Sequence, residues 1–143
     1  MFILQENPID PVESKNLYSN PANGALVIFE GMVRADKHEN KIVSDLLYIA
    51  DTPPCVAEGE RIINEALSKF AITEAVCIQR IGQLKTTEAA IWIGVWASHR
   101  DEAFKGCRYI IEEVKKRLII WKKEVYTDGS SAWIHGSPTP VNS

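Results

Sequence analysis

Ala89-Ala90-Ile91-Trp92-Ile93-Gly94-Val95-Trp96-Ala97 runs straight into Ser98-His99-Arg100-Asp101-Glu102-Ala103-Phe104, and the change of period between the two decides the fold. The first nine residues are apolar on both faces and rich in β-branched and aromatic side chains, which predicts a strand in the middle of a sheet. In that setting Trp92 and Trp96 read as core or subunit-interface residues, because a base-stacking platform needs exposed aromatics. Beyond them Ala103, Cys107, Ile110, Ile111, Val114 and Leu118 recur at helical spacing. Ser98, with Asp101 three residues on, forms a capping-box-like start. His99 and Arg100 then lie beside free backbone N–H groups at the positive end of the helix dipole, a place suited to phosphate or carboxylate. The competing reading is that His99 helps cap the helix and Arg100 pairs with a nearby acid.

Downstream, Lys115 falls at the margin of the buried stripe, where its stem can pack while the ammonium enters a cleft. Lys116 and Arg117 look exposed and favour the helix C-terminus electrostatically. Ile119 to Tyr126 alternates as a strand, with Ile119, Trp121, Lys123 and Val125 on one face and Ile120, Lys122 and Glu124 on the other. A helix followed at once by a returning strand can bring Lys115 and Lys122 together. Two close ammonium groups, or partial burial, would lower a lysine pKa and make it usable as acid, base or nucleophile. A solvated basic edge strand is the alternative. Asp128-Gly129 signals a turn before a short strand, Ala132-Trp133-Ile134, and the end of the chain, 137–143, reads as a frayed tail. From Arg100 to Lys123 eight cations face four acids, so this segment is net +4 in a chain that is net −3. A local cationic surface on an acidic chain fits a specific anionic ligand better than general attraction to nucleic acid.

Upstream, Gly24 to Arg34 alternates as a strand with both faces largely apolar, hence covered on both sides. Gly31 inside it predicts a bulge or a close backbone approach. Arg34 ends the strand, where it can meet a ligand or simply face water. After the polar loop 35–41, Ile42 to Ala50 forms another strand, and the two together predict an antiparallel hairpin. Asp51-Thr52-Pro53-Pro54 opens a helix with Thr52 as cap, and Val56, Gly59, Ile63, Ala66, Leu67 and Phe70 make its apolar stripe. Glu74 to Ile81 is a strand and 82–87 a connection. Phe2 to Gln5 is a short strand, and Pro11 to Tyr18 a short helix with Pro at its first position. The sum is an α+β single domain over residues 1–136, with a mixed, mostly antiparallel sheet and two main helices.

A chain of 143 residues with 45% hydrophobic and 24% charged content belongs with ordinary globular proteins. It has no apolar run near membrane length and no basic leader, so a cytoplasmic location is expected. Cys55, Cys77 and Cys107 show no metal-binding spacing and read as reduced thiols; a nucleophilic role for Cys107 is the alternative, which its place on the apolar stripe disfavours.

Several stretches together carry a family resemblance: Phe29-Glu30-Gly31-Met32-Val33-Arg34; Arg80-Ile81-Gly82; Gly94-Val95-Trp96-Ala97-Ser98-His99-Arg100; and Val114-Lys115-Lys116-Arg117-Leu118-Ile119-Ile120-Trp121-Lys122-Lys123-Glu124. In order and spacing the chain resembles the large, catalytic subunit of molybdopterin synthase from about Gly24 to Trp133. The resemblance implies an α/β-hammerhead type of α+β domain and a homodimer of large subunits. Each copy would bind a small ubiquitin-like sulfur carrier, giving a heterotetramer. The carrier's C-terminal thiocarboxylate would supply sulfur, and two transfers would convert cyclic pyranopterin monophosphate into the molybdopterin dithiolene. It implies no cofactor and no metal on this subunit. It places the key lysines at Lys115 and Lys122, the phosphate-holding cations at Arg34, His99 and Arg100, and neighbouring substrate contacts at Met32, Val33, Lys123 and Glu124. In physical terms Lys115 would act as acid, base or transient covalent partner, and Lys122 would stabilise developing negative charge. The chain departs from the pattern at Ile119, where Pro is frequent, and at Ile49, where Glu is frequent. A non-catalytic anion- or RNA-binding α+β module using the same basic stretch is the alternative. Lys115 and Lys122 meeting His99-Arg100 in one pocket would separate the two.

Overall fold

Among residues 1–138, which the computed structural model describes, the chain forms in order β1 (Phe2–Gln5), α1 (Pro11–Lys15), β2 (Ala25–Met32), β3 (Lys37–His38), β4 (Lys41–Ala50), α2 (Thr52–Lys69), β5 (Glu74–Arg80), β6 (Gly82–Lys85), β7 (Ala89–Ala97), α3 (Arg100–Arg117), β8 (Ile120–Tyr126) and β9 (Ser131–Ile134). The strands make two sheets, one ordered β1-β5-β7-β2 and one ordered β3-β4-β8-β9 with β6 also on β4. All pairings are antiparallel except β1 with β5. The expected mixed, mostly antiparallel α+β fold with two main helices is what forms.

The apolar run of β7 sits inside its sheet, flanked by β5 and β2. On one face α2 and α3 cover it, burying Ile62, Ile63, Ala66, Ala103, Cys107 and Ile110 against Cys77, Ile93 and Val95. On the other, Trp92 and Trp96 pack with Val76 and Ile78, and Tyr18 meets Trp96 edge-on at 5.1 Å. Each such aliphatic side chain contributes about 1.5–3 kcal/mol by leaving water. All three cysteines are buried thiols. Burial pushes the Cys107 thiol up to about 11, which makes it a poor nucleophile.

Several expectations are corrected. Residues 24–34 and 42–50 do not form a hairpin: β2 pairs with β7, and β4 belongs to the other sheet, on β6 and β8. The alternation identifies both strands but not their partners, and β7 offers β2 the longer apolar surface. The stretch 82–87 is not mere connection, since Gly82 to Lys85 pairs with β4 and buries Leu84. β2 is an edge strand rather than one covered on both sides, and Ile28, Phe29 and Met32 are exposed in the single chain. The Gly31 expectation fits: the register shifts between Gly31 and Met32, and a Cβ on Gly31 would lie 2.8 Å from Ile91. Neither helix is capped as expected. Asp51, not Thr52, precedes α2, and His99, not Ser98, precedes α3, neither with a side-chain cap bond. The α2 stripe turns toward Cys55 and Ile62, leaving Leu67 exposed. α1 stops at Lys15, held at its start by Asp10, which accepts from the Val12 and Glu13 amides. The expected tail falls mostly on residues 139–143, outside the described ones.

Arg117 is not ordinary surface charge. It donates to Glu58 at 2.8 Å and to Glu65 at 2.6 Å across to α2, and to Glu113 on its own helix at 3.2 Å. Tyr109 adds a 2.6 Å bond to Glu65. The network fixes α3 against α2, and α3 carries expected site residues at both ends.

Candidate functional site

The last turn of α3, the end of β2, and the faces of β4 and β8 enclose a cavity of about 540 Å³. Lys115 reaches it from α3 and Lys122 from β8. β8 begins only three residues after α3 ends, so the chain reverses and the two lysines converge. Lys115 is held below the usual lysine range, first by burial and then by the positive charge of Lys122. A lysine so placed gives up its proton more readily than one in water. Beside them are Arg34 and Met32 at the end of β2. Arg34 is 84% exposed in its side chain and pairs with Asp36, its Nε donating to Oδ1 at 2.6 Å and its second terminal nitrogen to Oδ2 at 3.4 Å, an exposed ion pair that an incoming anion can compete with.

Glu124 also faces the cavity but is nearly buried. Its carboxylate accepts from the Tyr126 hydroxyl at 2.9 Å and lies 3.1 Å from His38 Nε2. Asp36, His38 and Glu124 bring their ligand atoms within 4.8 Å of one another. Arg34, Tyr126 and the His38–Glu124 contact already engage these groups.

Two expected contacts lie elsewhere. Val33 is buried with Tyr48, Leu84 and Ala90, and its backbone is used up by Glu88 and Thr87. Lys123 turns to the opposite face of β8, its ammonium 5.5 Å from the Trp133 ring. His99 and Arg100 are also absent from the lysine cavity. They line a second concavity with Gly24, Ser98, Asp101 and the exposed Phe104. Fifteen residues of helix separate Arg100 from Lys115, about 22 Å at 1.5 Å per residue. Within one chain the cations expected to share a pocket are therefore in two.

Sequence reasoning missed Tyr48 and Gln79, which also line the lysine cavity. In an alternating strand a tyrosine reads as core. Only the register, with Tyr48 directly opposite Lys122, reveals the shared face.

The family described as MoaE protein matches residues 4–117 of the chain. A molybdopterin synthase catalytic subunit from Pyrococcus abyssi is 44% identical over 124 residues, spanning 87% of this chain and 82% of that protein. The crystal structure of molybdopterin synthase from Staphylococcus aureus superposes with a TM-score of 0.87 at 30% identity, covering 94% of this chain and 97% of that one. A complex of subunits 1 and 2 of molybdopterin-converting factor from Helicobacter pylori contains a chain of the same fold, with a TM-score of 0.76 at 17% identity over 99% of this chain and 94% of that one.

Proposed function

The chain belongs to the MoaE protein family, and from that premise we propose that it is the sulfur-transferring catalytic subunit of a molybdopterin synthase. In this reading a small carrier subunit delivers sulfur as a C-terminal thiocarboxylate, and two transfers convert cyclic pyranopterin monophosphate into the dithiolene of molybdopterin. The observation that carries the assignment of chemistry is Lys115, an exposed residue at the cavity wall whose pKa is nevertheless lowered, first by desolvation and then by Lys122, which lines the same cavity. Lys115 gives and takes protons at the reacting carbon. Lys122 stabilises the negative charge that develops on the thiocarboxylate carbon's oxygen. Arg34, exposed at the cavity mouth, exchanges its pairing with Asp36 for charge-assisted hydrogen bonds to the phosphate. Met32 and Glu124 shape the walls.

His99 and Arg100 join this site from a second copy. Three features support a homodimer: the two cationic hollows lie too far apart on α3 to meet in one chain, the outer edge of β2 is unpaired, and Ile28, Phe29 and Phe104 are exposed. With one carrier per copy the assembly is a heterotetramer. No helix of the described residues is long and apolar enough to cross a membrane, and the proposed setting is the cytoplasm. The domain proper is assigned to residues 1–136. The nucleic-acid alternative is disfavoured because Trp92 and Trp96 are buried and the lysines converge in a cavity.

Purified protein supplied with thiocarboxylated carrier and cyclic pyranopterin monophosphate is expected to yield the two-sulfur product by mass, and Lys115→Ala to abolish it while remaining folded. Absence of product with a competent carrier would overturn the assignment; near-normal turnover by Lys115→Ala would remove Lys115 from the chemistry.

A further inference from the structure

Tyr48 is a polar residue of the lysine cavity to which the scheme above gives no role. Tyr48 in β4 lies directly opposite Lys122 in β8, so both side chains leave the sheet on the same face. Its ring centroid is 5.9 Å from Lys122 Nζ, within the range of a cation–π contact. Val33, Leu84 and Ala90 pack around it, and only 8% of the residue is exposed. The hydroxyl nevertheless has no hydrogen-bond partner among the described residues. It is not sealed either: Asn23 Nδ2 is the only fully enclosed, unpartnered side-chain polar atom among them. The remaining opening is the cavity that Tyr48 lines. Burial pushes its pKa up to about 12, so near neutral pH the group is a phenol that can donate. A phenol that opens into the cavity and is bonded to no protein group is placed to donate to an oxygen bound there.

We propose that Tyr48 is a substrate-contacting residue of this site, whose hydroxyl donates to an oxygen of the bound substrate while its ring holds the Lys122 ammonium in place. The inference deepens the sulfur-transfer reading and rests on it for the identity of the substrate. The acceptor oxygen belongs either to the pterin or to the terminal carbonyl of the carrier tail, and binding measurements separate the two.

The test compares the wild type with Tyr48→Phe and Tyr48→Leu in the assembled complex. It records affinity for cyclic pyranopterin monophosphate, affinity for the carrier, and kcat and KM for product. Tyr48→Phe keeps the ring and is expected to keep the thermal midpoint. It should weaken one of the two affinities, and kcat/KM with it, roughly 3- to 10-fold, as for the loss of one neutral hydrogen bond. Tyr48→Leu should lower kcat further, because Lys122 loses its platform. Equal affinities and equal kcat/KM for Tyr48→Phe and wild type overturn the hydroxyl contact, and Tyr48→Leu no worse than Tyr48→Phe overturns the ring's role. A wild type that makes no product overturns the sulfur-transfer reading alone, since the affinity comparison still decides Tyr48. A wild type that binds neither probe overturns both.

Discussion

If each site draws Lys115 and Lys122 from one copy and His99 and Arg100 from the other, two inactive variants must repair one another. Arg100→Ala removes the phosphate contact and leaves the lysine cavity intact, because Arg100 lines the other hollow. A charged hydrogen bond to phosphate is worth about 1.5–3 kcal/mol, so its loss should lower kcat/KM roughly 10- to 150-fold. Lys115→Ala should be close to inactive. A two-fold dimer has two equivalent composite sites. In a heterodimer of the two variants, one site takes its lysines from the Arg100→Ala chain and its arginine from the Lys115→Ala chain, and is intact. The other site carries both defects. Purified through a different tag on each chain, the heterodimer should therefore show about half the wild-type activity per dimer. The measurement is molybdopterin formed with thiocarboxylated carrier, against both parent homodimers. A heterodimer no more active than the average of its parents would refute sharing between copies. Arg100 would then have to act within its own chain, across about 22 Å of rigid helix.

Two further outcomes test the frame that holds the site. Gly94→Ala would place a Cβ 2.4 Å from the Trp92 ring, which is 1% exposed and cannot swing away; overpacking of about 1–3 kcal/mol at about 2–4 °C per kcal/mol gives a thermal midpoint lower by about 2–12 °C, and an unchanged midpoint would refute the packing argument. Arg117→Gln should destabilise the chain in a pH-dependent way: the Arg117 hydrogen bond, with that of Tyr109, lowers the Glu65 pKa from 4.5 to about 2, so this stabilisation is full above pH 4.5 and is lost as pH falls toward 2. The midpoint gap between wild type and Arg117→Gln should be widest near neutrality and narrow through that window; a gap that stays constant across it would rule out Glu65 as the partner that matters.

What the sequence made legible was local. Nine apolar residues identify β7, and a 3.6-residue stripe identifies α3, because each pattern lies within one element. Pairing is not local. The β2 alternation is equally compatible with a neighbour in sequence and with β7, and the energy that chooses lies in the partner's surface. Arg117 was misread for the same reason: from its own helix it is one more C-terminal cation, while two of its three carboxylate partners lie on α2. Tyr48 shows no distinguishing signal at all until β4 is laid against β8.

The candidate site follows the same division, and that explains its form. The lysine pair was readable because a tight helix-to-strand reversal brings the two residues together within a single stretch of chain. His99 and Arg100, the cations proposed for the phosphate, were readable as a helix start. Their separation was readable as well, since one uninterrupted 18-residue helix is a ruler that keeps its two ends apart. The Arg117 network keeps that ruler at a fixed angle to α2 and so sets where each end lies. An enzyme needing both ends at one substrate can obtain them only from two copies. In the proposed homodimer, association would complete the active site as well as cover the apolar edge at Ile28 and Phe29. A variant that kept its fold but lost the dimer should retain the lysine cavity and its depressed Lys115 while its hold on the phosphate weakens to what Arg34 alone supplies.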